Sequence, residues 1–152
     1  MRTSIELYKL ILIISLILLI SCKDKSPNLS TIPEIKILDN SMDTVREFTD
    51  ELTLIVQYTD NDGDLGQLSA DSFSMEVWDD RLQKPDYYHV PPLAPIHQKI
   101  KINGDLQLTL KNLFRLSNAP IESTRFKIRL KDRAHQWSNI AISKPIYIIK
   151  HP

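Results

Sequence analysis

The segment LTLIVQYTDNDGDLG, residues 52–66, joins two kinds of sequence that together predict a fold. Its first seven residues are mostly apolar or β-branched and lack helical spacing, so they predict a buried β-strand. The residues that follow are rich in Asp, Asn and Gly, which favour tight turns. The segment therefore predicts a core strand that ends in a sharp acidic loop.

The same alternation with a period of two recurs through the rest of the chain, where no segment after Cys22 has the spacing of an amphipathic helix. The further predicted strands are EIKIL (34–38), SFSMEVW (72–78), KIKI (99–102), LQLTL (106–110), RFKIRL (125–130) and ISKPIYII (142–149). Asn103 and Gly104 between two of them predict a type I′ hairpin, with a glycine bulge in one long strand as the alternative. About seven strands predict an all-β fold over residues 34–152, an antiparallel immunoglobulin-like or fibronectin-like β-sandwich. A small barrel is the alternative.

The amino-terminal residues predict export and lipidation. Residues 10–20 are apolar apart from Ser15, too short for a bilayer span, which needs about 20 residues, and typical of a signal peptide over residues 1–21. The segment Leu-Ile-Ser-Cys at residues 19–22 resembles the lipobox of bacterial lipoproteins. Cys22 is the only cysteine in the chain, so the resemblance implies that it carries the lipid, palmitate included, and the alternative is a soluble secreted protein with an accidental thiol. Two or three acyl chains make a permanent membrane anchor.

The charge balance and the segment after Cys22 predict a near-neutral domain that is attached through a short tether. The chain has 19 basic and 19 acidic side chains. Removing residues 1–21 takes away Arg2, Lys9 and Glu6, which leaves 17 basic and 18 acidic side chains. A chain so close to neutral gives no electrostatic reason to expect a nucleic-acid partner. Residues 22–33 are polar and contain two prolines, which predicts an extended, lipidated tether.

Two segments carry a resemblance to a known family. YTDNDGDLG at 58–66 and KDRAHQWSN at 131–139 resemble the YTDxDGDLG and KDRAGNxSN segments of an uncharacterised lipoprotein family of Bacteroidota-type bacteria. The resemblance extends over residues 33–150 and implies an immunoglobulin-like sandwich, a lipid anchor in the cell envelope, at the outer membrane, and no enzymatic activity. The resemblance leaves open whether the protein lies on the periplasmic or the surface side of that membrane. The chain departs from the family at His135 and Gln136, which leaves open whether the left-handed turn that glycine favours is kept.

The acidic loop is the main candidate site. If its flanking strands are the second and third of an immunoglobulin-like sandwich, it lies at the same end as residues 131–139, and six polar side chains meet there. These are Asp60, Asp62, Asp64 and Asp132, with Arg133 and Asn139 pairing the loops. We interpret the cluster as a tight connection in which Asp side chains bind backbone amides and Arg133 pairs with a carboxylate at an exposed rim. The alternative is a calcium site, although an EF-hand match fails at Leu65, where the motif has glycine.

These observations predict a binding or structural module and exclude the common enzyme classes. The sequence has no nucleophile elbow, phosphate-binding glycine loop or zinc helix, so we expect no catalytic residues and no cofactor other than calcium under the alternative above. The expected partners are the membrane, through the lipid, and an envelope protein or glycan. A calcium-stabilised adhesion or glycan-binding domain is the alternative function. Thr44, in Asp-Thr-Val, resembles an O-glycosylation site of exported Bacteroidota proteins, with an ordinary turn as the alternative.

Overall fold

The computed structural model describes residues 29–151, which form ten β-strands and no helix. The strands are β1 (Glu34–Asn40), β2 (Thr44–Arg46), β3 (Leu52–Asp60), β4 (Met75–Asp79), β5 (Asp86–Tyr88), β6 (Ile102–Leu110), β7 (Ile121–Thr124), β8 (Phe126–Leu130), β9 (Ala141–Ile142) and β10 (Ile146–Ile149). Within this part of the chain there is accordingly no helix long and apolar enough to cross a bilayer. The predicted signal peptide, Cys22 and most of the tether lie outside the described residues, as does Pro152.

The strands pair into three sheets, none of which closes on itself. Their orders are β1-β3-β6, β5-β4-β8-β9 and β2-β10-β7. All ladders are antiparallel except the one between β2 and β10, which is parallel. The prediction of an all-β fold built mainly from antiparallel strands is therefore confirmed.

The second and third sheets share one long hairpin. Only Arg125 separates β7 from β8, and three residues separate β9 from β10, so β8 pairs with β9 while β7 pairs with β10. Ser143 joins the two halves: its amide donates to the Phe126 carbonyl at 2.9 Å and its hydroxyl accepts the Phe126 amide at 2.9 Å. These hydrogen bonds satisfy backbone groups where the ladder changes register.

One apolar core lies between the sheets, and the alternation of the strands builds it. The inward residues of β3, β8 and β10 are buried and belong to a single cluster. They are Leu52, Leu54 and Val56, then Phe126, Ile128 and Leu130, then Ile146 and Ile148. The strand predicted at 72–78 begins only at Met75, so Phe73 lies outside it and is 52% exposed.

The hairpin predicted at Asn103 and Gly104 is wrong. Both residues lie inside β6, which pairs without a register break along the whole of β3 and places Gly104 opposite Tyr58. A Cβ on Gly104 would lie 2.7 Å from the Tyr58 hydroxyl. The glycine therefore makes room for an aromatic ring of the neighbouring strand, and the alternative of one long strand holds without a bulge.

Candidate functional site

The two loops quoted above meet at one end of the domain, as their predicted positions require. Leu65 and Asp132 pair in a single antiparallel β-bridge. The Arg133 amide donates to the Asp64 carbonyl at 3.1 Å, and the Ala134 amide donates to the Asp64 carboxylate at 3.1 Å. We call residues 60–66 the acidic loop and residues 131–139 the facing loop.

Asp60 organises the acidic loop from its first position. It is the last residue of β3 and is fully buried. One of its carboxylate oxygens accepts the amides of Asp64 at 2.8 Å and Leu65 at 3.1 Å, four and five residues on, a longer reach than the two residues of an Asx turn. Gly63 and Gly66 take positive φ angles of 70° and 87°. The tight connection predicted from the sequence is thus present at Asp60.

Several other oxygens of the cluster are buried but form no hydrogen bond within the described residues. Asp132 is fully buried; one of its oxygens accepts the Gln136 amide at 2.7 Å, whereas Oδ2 has no hydrogen-bond partner among the described residues. The Oδ1 atoms of Asn61, Asp62 and Asp64 are likewise buried without a partner in this part of the chain. Because buried polar atoms are nearly always paired, four such oxygens in one place set this cluster apart from an ordinary turn.

The electrostatics of the cluster indicate uncompensated negative charge. Burial, followed by the interaction with Asp62, raises the pKa of Asp60 to about 6. Burial also raises the pKa of Asp64, and the negative charge of Asp62 raises it further. The positive charge of Arg133 lowers this pKa and so offsets the increase only in part. The pKa of Asp132 is raised by burial and then by the charges of Asp64 and Asp62. The carboxylates therefore lie close enough to repel one another.

Arg133 holds the loops together by contacts that differ from those expected. Its guanidinium donates to the carbonyl oxygens of Gly63 at 3.2 Å, Leu65 at 3.3 Å and Gly66 at 3.4 Å. It therefore binds the backbone of the acidic loop, and the expected pairing with a carboxylate is replaced by three carbonyl contacts. The side chain is partly buried, so the expectation of an exposed rim is wrong.

A third segment packs against the acidic loop, whose residues are buried or half-buried. Residues 89–101, between β5 and β6, run along it: the Gln67 amide donates to the Val90 carbonyl at 2.8 Å, and the Leu93 amide donates to the Leu65 carbonyl at 3.1 Å. The sequence gives little sign of this packing, since proline-rich connections usually lie at the surface. The one available signal is the pair of glycines, whose missing side chains permit the approach.

Asn139 and His135 occupy other positions in the facing loop. The Asn139 side chain accepts the Ile35 amide and donates to the Ile35 carbonyl, both at 2.8 Å, so it fastens the facing loop to β1 rather than to the aspartates. His135 has a φ of 65°. The turn at this position is therefore left-handed with a histidine in it.

The described chain enters the domain at this same end. The Asn61 side chain donates to the Ser30 carbonyl at 2.7 Å, and the Gln136 side chain donates to the Thr31 hydroxyl at 3.3 Å. Strand β1 then starts at Glu34, opposite Thr59 near the end of β3. The described chain therefore begins at the acidic end of the domain.

A pair of exposed phenylalanines lies at the opposite end. The rings of Phe48 and Phe114 stack in parallel planes with centroids 6.0 Å apart, and these residues are 65% and 40% exposed. Phe48 has a φ of 57°, and its amide donates to the Leu113 carbonyl at 2.9 Å. Both residues lie beyond the start of β3, whose nine residues span about 27 Å. We call them the aromatic tip; the sequence did not suggest it, because its two halves are 66 residues apart.

Thr44 is exposed at the start of β2. Its backbone is held in place on the parallel ladder with β10, where it pairs with Tyr147. The side chain is accordingly accessible to a modifying enzyme.

Comparisons of this chain with family models, with curated proteins and with solved structures gave no match. The proposals below therefore rest on the sequence patterns and on the geometry of the described residues.

Proposed function

We propose that this chain is a lipid-anchored module of the cell envelope that binds a partner through its aromatic tip. The proposed fold is an immunoglobulin-like or fibronectin-like sandwich. In it, β1-β3-β6 forms one layer, and β5-β4-β8-β9, continued through the shared hairpin into β7, β10 and β2, forms the other. The single apolar cluster between the strands supports this arrangement. No enzymatic activity is proposed.

The anchor is the lipid on Cys22. Because Ser30 and Thr31 contact the domain, the free part of the tether, residues 22–29, spans up to about 28 Å when extended, so the domain would stand close to the membrane and turn about its point of attachment. The contacts of Ser30 and Thr31 support a tether that joins the domain at its acidic end. The proposed location is the outer membrane, on its periplasmic or its surface side.

The observation that carries the binding function is the conformation and exposure of Phe48. A left-handed backbone costs a non-glycine residue about 1–2 kcal/mol, and such strain tends to persist where function requires it. Here it holds a ring against Phe114 in solvent, at the end away from the tether. Leu116 and Ile121 are also exposed and follow Phe114 in the chain. Aromatic side chains with aliphatic neighbours suit a protein partner, so we propose an envelope protein, with a glycan as the alternative.

The anchor is tested by Cys22→Ser. We expect the variant to lose palmitate labelling and to leave the membrane fraction, because the lone thiol is the only site for a thioether lipid. Unchanged labelling and membrane retention would contradict the proposal.

The aromatic tip is tested by photo-crosslinking in cells. A photoreactive amino acid at Phe114 should give a discrete adduct, whereas the same group at Gln107, exposed in the middle of β6, should not. Protease treatment of the adduct distinguishes a protein partner from a glycan. Phe48→Gly relieves the left-handed strain, so it should keep the melting temperature and weaken the adduct. Equal adducts at both positions, or none at Phe114, would contradict a tip-specific partner.

A further inference from the structure

We infer that Asp60, Asp62, Asp64 and Asp132 hold a calcium ion between the acidic loop and the facing loop. This inference goes beyond the proposed function, since the aromatic tip is at the other end of the domain and its binding does not require a metal.

The first argument is distance. One carboxylate oxygen from each of Asp60, Asp62 and Asp64 lies within 4.8 Å of the other two. Calcium binds oxygens at about 2.3–2.6 Å, so two ligands on opposite sides of one ion are about 4.6–5.2 Å apart. The three oxygens are therefore close enough together to contact a single calcium ion.

The second argument is independent and comes from the other loop. Asp132 is fully buried, and its Oδ2 atom has no partner among the described residues. Asp132 pairs with Leu65 in the bridge between the loops, and the nearby Ala134 amide donates to the Asp64 carboxylate, which places Asp132 beside the acidic cluster. A buried carboxylate oxygen without a partner is unfavourable, and a cation between the loops would satisfy it. The unpartnered oxygens of Asp62 and Asp64 are satisfied by the same ion.

The chemistry of the donors selects the metal. All four side chains offer carboxylate oxygens, and Asn61 Oδ1, also buried and unpartnered, offers a neutral oxygen nearby in sequence. Hard oxygen ligands suit calcium or magnesium rather than zinc or copper. An irregular loop with many carboxylates suits calcium, because magnesium requires a near-ideal octahedron and retains several waters.

This geometry also explains why the EF-hand comparison fails. An EF-hand takes its closing ligand, a bidentate Glu at position 12, from the end of the same loop, where this chain has the shorter and exposed Asp71. Here Asp132 of the facing loop supplies the fourth carboxylate, held in place by the bridge between Leu65 and Asp132. The ion would therefore link two segments that are far apart in the chain.

The experiment uses the full chain in detergent, with metal removed by EGTA, and measures calcium binding by calorimetry and unfolding by thermal melts. With calcium at about 1 mM and a Kd of about 10 μM, the folded state would be favoured about 100-fold, which raises the melting temperature by several degrees. Magnesium at the same concentration should give a much smaller rise.

Asp62→Asn is the informative variant. Its carboxylate contributes to the repulsion at Asp60 and Asp64, so removing its charge should raise the melting temperature in EGTA while abolishing most of the rise with calcium. A purely structural role predicts that calcium has no effect on either protein. Asp71→Asn, at an exposed position in the next turn, is the matched control and should keep the full calcium response.

Coincident melts of the wild type in calcium and EGTA would overturn the inference, and so would a calcium response that survives Asp62→Asn. An equal response to magnesium would overturn the choice of calcium. These results are independent of the crosslinking at the aromatic tip.

Discussion

Gly66 lies against the backbone of Pro91 so closely that a Cβ on Gly66 would come within 2.1 Å of the Pro91 carbonyl oxygen. Gly66 also has a φ of 87°. This contact presses the acidic loop against residues 89–101, so the second glycine of the loop is required by packing as well as by backbone conformation.

Gly66→Ala should therefore lower the free energy of unfolding by about 2 kcal/mol or more, because neither neighbouring backbone can move out of the way. Denaturant unfolding measures the change. Gly104→Ala is the control: its Cβ would meet the end of the Tyr58 side chain, which can shift, so the loss should be smaller. Equal losses would show that the contact with Pro91 is not decisive.

His135→Gly should raise the free energy of unfolding by up to about 1 kcal/mol. Histidine at a φ of 65° bears the steric cost of the left-handed region, which glycine avoids. Because glycine also makes the unfolded chain more flexible, the net gain is smaller than the strain. A thermal melt measures the gain, and a clear loss would mean that the His135 side chain stabilises the turn.

Ile128→Ala should lower the free energy of unfolding by about 2–5 kcal/mol. Ile128 is fully buried in β8, between Val77 of β4 and Ala141 of β9, so the truncation leaves a cavity. Ile142→Ala, at an exposed position of the adjoining strand, should cost far less. Slow amide exchange along β8 in the wild type is expected as well, and rapid exchange there would contradict the placement of this strand in the core.

Stability should fall in acid because of the carboxylates around Arg81. Burial alone raises the pKa of Asp79, but hydrogen bonds from Arg81 and Thr124 outweigh it and hold this pKa below its ordinary value. Hydrogen bonding by Ser117, the Leu116 amide and Arg81 lowers the pKa of Glu122 to about 2.

A carboxyl group with a lowered pKa in the folded state stabilises the fold above its unfolded pKa, which is about 4, and loses that contribution as the pH falls through the folded value. The free energy of unfolding should therefore decline between about pH 4.5 and pH 2. Arg81→Met should make this decline shallower. Lys144→Met, which removes the exposed pair with Asp39, should leave the slope nearly unchanged. Identical slopes in the wild type and Arg81→Met would refute the assignment.

The core strands β3 and β8 were predictable because burial on one face imposes a period of two on the sequence, whereas the short strands β2, β5 and β7 were not predicted. The meeting of the acidic and facing loops was predictable from the order of the strands. The position of residues 103–104 inside β6 was not, because turn-forming residues carry no information about Tyr58 on the neighbouring strand.

The burial of the acidic loop was also beyond prediction, for a related reason. The residues that cover it, such as Pro91 and Leu93, lie in a connection with no periodic pattern. Asp132 therefore looked exposed in the sequence although the structure buries it completely. Long-range packing of irregular segments leaves no local signature, and it is this packing that turns a set of turn-forming aspartates into a candidate metal site.

The opposite placement of tether and aromatic tip has a mechanical consequence. A pull between a lipid on Cys22 and a partner held at Phe48 would enter the domain at Glu34 and run along β1 toward β2. The hydrogen bonds between β1 and β3 lie across that direction, because they are perpendicular to antiparallel strands. The force would load these hydrogen bonds together in shear instead of opening them one at a time. Strand β1 would therefore resist extension until all of its bonds to β3 yield together.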